Sequence, residues 1–240
     1  MILIFDYFET IVHNKSMDFN RGLKDLWEKH YQNKCTFEEI STLGDEQFKH
    51  LLKIHEQGLE YRFVQDELPE YAAEFGGDII TMSAEEEADF LMKCNEMEVL
   101  PSICEALEAF EKMGIPMYVL SNSGFTADSL SIALEHLGIR KYFKKIWSSA
   151  DFGKIKPNRE FFELAINSAL TDNPTSKRED IVFIGDTYDS DIRGANGVGI
   201  DVIWLNYMDL PNTDNLSLHS IKSTDKLLDF VKKEYFNGIN

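Results

Sequence analysis

The sequence predicts an α/β protein, a doubly wound and mostly parallel sheet with an all-helical unit inserted just behind the first strand. Three observations carry this. Short apolar, β-branched runs stand at the start of the chain and return through its second half. Helical patterns separate the later runs, and a long stretch between the two groups keeps helical periodicity with almost no strand-like alternation.

Taken in order, Ile2-Leu3-Ile4-Phe5 is apolar at every position, as a strand covered on both faces would be. Residues 117–120, 146–148, 181–184 and 202–205 read the same way. The intervening segments 103–113 and 127–137 have helical spacing and end at Gly114 and Gly138, where a left-handed C-cap suits glycine. A helix over 159–170 follows Pro157-Asn158, and 227–233 makes a last amphipathic helix. Before these, Leu23, Leu26, Trp27 and Tyr31, then Phe48, Leu51, Leu52 and Leu59, mark helical faces, and Pro69 and Gly76-Gly77 divide the stretch into separate helices. A crossover between parallel strands needs only a dozen or more residues, so about 85 residues of helix exceed one connection. The expected division is therefore a core of residues 1–13 and 99–240 and a helical domain of residues 14–98, with hinges near 13–16 and 99–101.

Bulk properties set limits on partners. The chain of 240 residues carries a formal charge of −18, which leaves no basic face to displace counterions from nucleic acid or to meet an anionic membrane. An anionic substrate would need local positive charge against that field. Three cysteines without a CxxC pair fit a reducing cytosol, and no secretory leader, membrane span or repeat is expected. Oligomeric state stays open. The six histidines lack ligand spacing; His13, His30 and His55 are expected as surface residues or residues of the helical insertion.

Four segments carry chemistry. Asp6 follows the first strand and opens Asp6-Tyr7-Phe8-Glu9-Thr10; a carboxylate at the C-terminal tip of a buried strand faces the crevice of an α/β sheet. Ser121-Asn122 ends the second strand in the same sense, with a hydroxyl and backbone N–H groups suited to phosphoryl oxygens. Lys156 precedes Pro157, with Lys154 as its rival. Gly185-Asp186, followed by Asp189 and Asp191, delivers carboxylates to one loop, the ligand type hard divalent ions prefer. Gly194, Ala195 and Gly197 would keep the next helix slim against the sheet.

In this order and spacing, the four segments resemble the motifs of the haloacid dehalogenase superfamily. The resemblance implies a Rossmann-like core with a helical cap, and most members are Mg²⁺-dependent phosphatases with an aspartate nucleophile. It implies Asp6 as nucleophile, Ser121, Asn122 and Lys156 at the substrate, Mg²⁺ on Asp6, Asp186 and the Phe8 carbonyl, and Asp191 behind them. Thr10 would support the nucleophile loop, and Asp189 would be a water-mediated contact or a helix cap.

One position departs from the pattern. Phosphatases of this kind usually carry a second Asp where Phe8 stands, as general acid and base, and phenylalanine can do neither. Glu9 is adjacent but should point away. Three readings follow: a phosphohydrolase of small phosphorylated metabolites, a 2-haloacid dehalogenase or other hydrolase of the superfamily, or a non-catalytic binding protein. Dehalogenases carry an aromatic residue here but work without metal and lack the paired carboxylates, so Asp186 and Asp191 favour the phosphohydrolase. Phosphonate hydrolysis would need a cap lysine that the sequence does not single out.

Overall fold

The computed structural model describes residues 1–236. β1 (Ile2–Phe5) turns into β2 (Val12–Met17). Helices α1 (Phe19–His30), α2 (Phe37–His55), α3 (Leu68–Phe75) and α4 (Ala84–Cys94) follow, and β3 (Asn95–Val99) brings the chain back. The second half then alternates through α5 (Ile103–Lys112), β4 (Met117–Ser121), α6 (Ala127–His136), β5 (Phe143–Ser148), the short α7 (Ser149–Phe152) and α8 (Arg159–Asp172). It ends with β6 (Ile181–Gly185), α9 (Arg193–Val198), β7 (Asp201–Leu205), β8 (His219–Ile221) and α10 (Leu227–Val231).

Six strands form one sheet in the order β5-β4-β1-β6-β7-β8, and every pairing is parallel. Counted along the chain, these strands run 3-2-1-4-5-6, so the order reverses at β1 and opens a crevice at the carboxyl ends of β1 and β6. Alternate residues feed two cores. Leu3, Phe5, Val119, Val182 and Ile184 face α5, α6 and α10, while Ile2, Ile4, Leu120, Ile181 and Phe183 face α8 and α9. This double burial is why the strands read as unbroken apolar runs. Gly114 and Gly138 follow α5 and α6 at φ 71° and 77°, the left-handed conformation expected of them.

The helices of the insertion start as their sequence dictates. Thr36 and Glu39 form a capping box on α2, and Ser83 and Glu86 form one on α4. Pro69 sits in the first turn of α3, where a missing N–H costs nothing. Leu23, Leu26, Ile40, Phe63, Tyr71 and Phe90 make a third apolar cluster of their own. Its floor meets the core by hydrogen bonds: Phe63 N to Gly124 O at 2.9 Å, Glu60 N to Gly153 O at 3.0 Å, and Glu87 Oε1 accepting from Thr126 N at 2.9 Å.

The expectation of a strand-free stretch from residue 14 missed one feature. β2 and β3 pair antiparallel, Val12 with Val99, His13 with Glu98 and Asn14 with Met97. The two crossings expected as separate hinges are therefore zipped to each other. Their sequences carried no sign of it because a two-stranded ribbon whose residues are mostly exposed or half-buried needs no alternation. β8, three residues at the sheet edge, was missed for want of length.

Candidate active site

β1 delivers Asp6 to the crevice, and the Asp6 N–H donates to Ile184 O at 2.8 Å, locking the tips of β1 and β6 together. Lys156, 2% exposed, places its ammonium 2.5 Å from Asp6 Oδ1 and 2.7 Å from Asp191 Oδ1. Asp6, Asp186 and Asp191 each bring a carboxylate oxygen within 4.8 Å of the others. Burial pushes Asp6 up to about 6, opposed by Lys156 and reinforced by Asp191. Burial, then the charges of Asp6 and Asp191, push Asp186 up to about 7. Burial works against the Lys156 ammonium, but Asp191 and Asp6 outweigh it and hold Lys156 above the ordinary lysine value.

Three carboxylates thus cluster beside one ammonium, which contacts two of them, Asp6 and Asp191. The uncompensated charge and the all-oxygen donor set fit a hard divalent cation between Asp6 and Asp186. Asp191 is fully buried and fixed by Thr187 N at 3.0 Å, Ser190 Oγ at 3.1 Å and Lys156, so it anchors the ammonium. A Cβ on Gly185 would lie 2.4 Å from Asp191 Oδ2, and only glycine admits the carboxylate there.

Ser121 ends β4, 1% exposed, and its hydroxyl donates only a long 3.4 Å bond to Asn122 O, which leaves it available to a better acceptor. Asn122, expected at the substrate, is used otherwise. Its Oδ1 accepts from Lys156 N at 2.7 Å and its Nδ2 donates to Lys156 O at 3.1 Å, a two-point clasp on the lysine's backbone. Lys154 pairs with Glu160 at the surface, so the position before Pro157 is the one brought to Asp6. Asp189 neither caps a helix nor faces the carboxylates; it is largely exposed and paired with Arg193 at 2.6 Å. Gly194 lies under Phe162, whose ring an added Cβ would meet at 2.3 Å, whereas Gly197 faces open space and has no packing role.

The first loop is explicit about what is absent. The Phe8 ring packs on Tyr7, centroids 4.8 Å apart, and against the core. Glu9 accepts from Asn14 N at 3.0 Å and bonds His13 Nδ1 at 2.8 Å, so its carboxylate serves the ribbon. Thr10 is buried with its hydroxyl unpartnered. Sequence reasoning missed Tyr207, on the polar loop after β7. Its hydroxyl donates to Glu9 O at 2.9 Å, and its pKa is raised by burial and by the charges of Asp186 and Glu9. No spacing could have flagged it. Trp204 Nε1 also holds the Asp186 carbonyl at 2.8 Å.

The chain is similar to known hydrolases in sequence and in fold. Over 113 residues the chain is 33% identical to pyrimidine 5'-nucleotidase YjjG of Escherichia coli, covering 47% of this chain and 46% of that protein. Over 145 residues it is 28% identical to ribulose-1,5-bisphosphate 5-phosphatase of Halopiger xanaduensis, covering 57% and 58%. The chain thus spans about half the length of the curated relatives it matches. The crystal structure of 2-haloacid dehalogenase from Pseudomonas syringae superposes over 97% of this chain and 99% of that one, with a TM-score of 0.67 at 20% identity, a likeness of fold. The family model for haloacid dehalogenase-like hydrolases matches residues 1–199, a span that holds the whole carboxylate–lysine cluster, and the chain belongs to that family.

Proposed function

We propose that the protein is a Mg²⁺-dependent phosphohydrolase of small phosphorylated metabolites in the cytosol, with Asp6 as nucleophile and residues 14–98 as a cap over the crevice. The observation that carries this reading is Lys156, a buried ammonium shared by the strand-tip Asp6 and the anchored Asp191 with a third carboxylate, Asp186, alongside. A carboxylate that attacks an anion needs such charge compensation. The phosphatase and nucleotidase names of the two relatives support the substrate class.

In this mechanism Asp6 attacks phosphorus, the ester oxygen departs, and water hydrolyses the aspartyl-phosphate on Asp6. Lys156, held by Asp191 and by the Asn122 clasp, lowers the repulsion between Asp6 and the incoming phosphoryl group. Ser121 Oγ donates to a phosphoryl oxygen. Asp6, Asp186 and the Phe8 carbonyl would hold Mg²⁺, whose chemistry when bound is to polarise the phosphoryl group and neutralise its charge. The Phe8 side chain offers no proton to the leaving oxygen, so the first step favours substrates whose leaving group departs as a stable anion. The dehalogenase alternative has a comparable fold behind it but no use for three clustered carboxylates.

The test is a screen of phosphorylated metabolites and 2-haloacids, each with Mg²⁺ and with EDTA, using wild-type protein and Asp6→Asn. Phosphate release that needs both Mg²⁺ and Asp6 is the expected result. Halide release at full rate in EDTA would overturn it.

A further inference from the structure

Residues 58–63 of the helical insertion reach both loops that place Lys156. On one side, residues 58–60 run antiparallel to residues 153–155, which lead directly into the lysine. Glu60 N donates to Gly153 O at 3.0 Å, Ile155 N donates to Gly58 O at 3.1 Å, and Leu59 stands opposite Lys154. On the other side, Phe63 N donates to Gly124 O at 2.9 Å, in the loop that begins with Ser121 and Asn122.

A buried carboxylate joins the two contacts. The Glu60 side chain is 0% exposed. Its Oε1 bonds His55 Nε2 at 2.8 Å and accepts from Tyr61 N at 3.0 Å, and its Oε2 accepts from Ser149 Oγ. Ser149, fully buried at the start of α7, accepts in turn from Ser123 N at 2.8 Å. A hydroxyl has one proton, so the bond to Glu60 fixes its direction and leaves a lone pair for Ser123. Ser123 follows Asn122, whose side chain clasps the Lys156 backbone. A continuous path thus runs from the insertion to the lysine. Another buried carboxylate of the insertion, Glu67, shows the contrast. It receives only a long 3.5 Å contact from Tyr71 OH, and burial with the charge of Glu70 pushes it up to about 8. Glu60 is instead met on both oxygens.

Adhesion alone does not call for a buried carboxylate, since apolar side chains hold two surfaces together without the cost of desolvating a charge. What the carboxylate adds is direction, because it fixes where its donors stand. Without it the Ser149 proton has only Ser123 O, at 3.3 Å. We propose that Glu60 is a positioning residue for the active site: through Ser149 and Ser123 it fixes the loop that carries Ser121 and clasps Lys156, so both are set while the insertion is seated on the core. The effect on turnover rests on the phosphohydrolase reading; the effect on Lys156 itself does not.

The experiment treats the whole chain with an amine-acetylating ester and follows modification of Lys156 by peptide mass spectrometry, which needs no substrate. Glu60→Ala and Ser149→Ala should each raise the rate at Lys156 about tenfold, the worth of one hydrogen bond to a charged group. The double variant should raise it no further, because both changes break one path. His55→Ala removes a different bond to the same carboxylate and should leave Lys156 near the wild-type rate. On the phosphate ester that wild type hydrolyses best, Glu60→Ala and Ser149→Ala should lower kcat about tenfold with KM little changed. If Glu60→Ala does not fold, Ser149→Ala, which leaves the carboxylate two donors, decides. The proposal is overturned if Lys156 keeps its wild-type rate in these variants, if His55→Ala loosens it equally, or if kcat is unchanged while Lys156 reacts faster. Faster reaction at Lys156 in a protein whose wild type hydrolyses no phosphate ester would support the path from Glu60 and sink the phosphohydrolase reading instead.

Discussion

In the proposed mechanism, Phe8 is the residue on which rate turns. It sits where an acid–base would stand, and neither Glu9 nor Thr10 replaces it, because Glu9 is bonded to His13 and Asn14 and the Thr10 hydroxyl is buried. Phe8→Asp should raise turnover of alkyl phosphates by about tenfold or more, while aryl phosphates, whose leaving groups need little help, change less at the first step. The substitution also strips a ring from Tyr7 and the core, so a loss of about 1–3 kcal/mol should accompany the gain. Unchanged turnover on every ester would mean that another group already moves the proton. Asn122 gives a second residue-scale test. Asn122→Ala removes both hydrogen bonds to the Lys156 backbone, and kcat should fall about tenfold with KM little changed; a purely KM effect would restore the view of Asn122 as a substrate contact. Glu67 supplies a pH test. Its folded value of about 8 lies above its ordinary 4.5, so the native state holds the proton more tightly than the unfolded chain does. Stability from this group is complete below about 4.5 and is lost as pH rises towards 8. Glu67→Gln should therefore melt close to wild type at pH 4.5 and above it at pH 8, by on the order of 2–4 kcal/mol. An advantage that does not grow across that window would contradict the assignment.

At the scale of elements, what could be read in advance depended on burial. β1, β4, β6 and β7 are covered on both faces, so their apolar runs were plain, and Asp6, Ser121 and Gly185-Asp186 fell at strand tips, where their combination in order and spacing gave them meaning. The β2–β3 ribbon was not legible, because half-exposed strands of His, Asn, Lys and Glu carry no pattern until they meet. Lys156 could be preferred to Lys154, but its contact with both Asp6 and Asp191 is tertiary, 150 and 35 residues apart in sequence. The clasp by Asn122 and the approach of Tyr207 to Asp186 belong to the same class, being products of loop geometry with no periodic signal. Helix α9 separates packing from composition. Gly194 and Gly197 look alike in the sequence, yet one lies under Phe162 and the other faces open space. Gly194→Ala should cost about 1–3 kcal/mol through overpacking, whereas Gly197→Ala should be neutral or stabilise by up to about 1 kcal/mol through helix propensity. Thermal melts of the two single variants decide this, and equal effects would mean that Phe162 moves aside freely.

For the whole molecule, the decisive quantity is charge. A chain with a formal charge of −18 gathers three carboxylates at the switch point of its sheet and sets one lysine against them. Without a cation, Asp186 is the least compensated of the three: Asp6 and Asp191 contact the ammonium, and Asp186 accepts only a 3.3 Å bond from Thr187 Oγ1. That arrangement costs native stability, and a divalent ion would return it. Binding at a concentration of 100 Kd stabilises by about 2.7 kcal/mol, and for a chain of this size each kcal/mol moves the melting temperature by roughly 2–4 °C. Wild-type protein should therefore melt about 5–10 °C higher in saturating Mg²⁺ than in EDTA. Asp186→Asn removes one of the repelling charges together with one of the metal's ligands, so its two effects have opposite signs. In EDTA the variant should melt at or above wild type; in Mg²⁺ it should gain little and fall below. This crossing separates a metal site from a merely strained acidic cluster, since strain alone would leave Asp186→Asn the more stable protein in both buffers, and it is read without knowledge of the substrate.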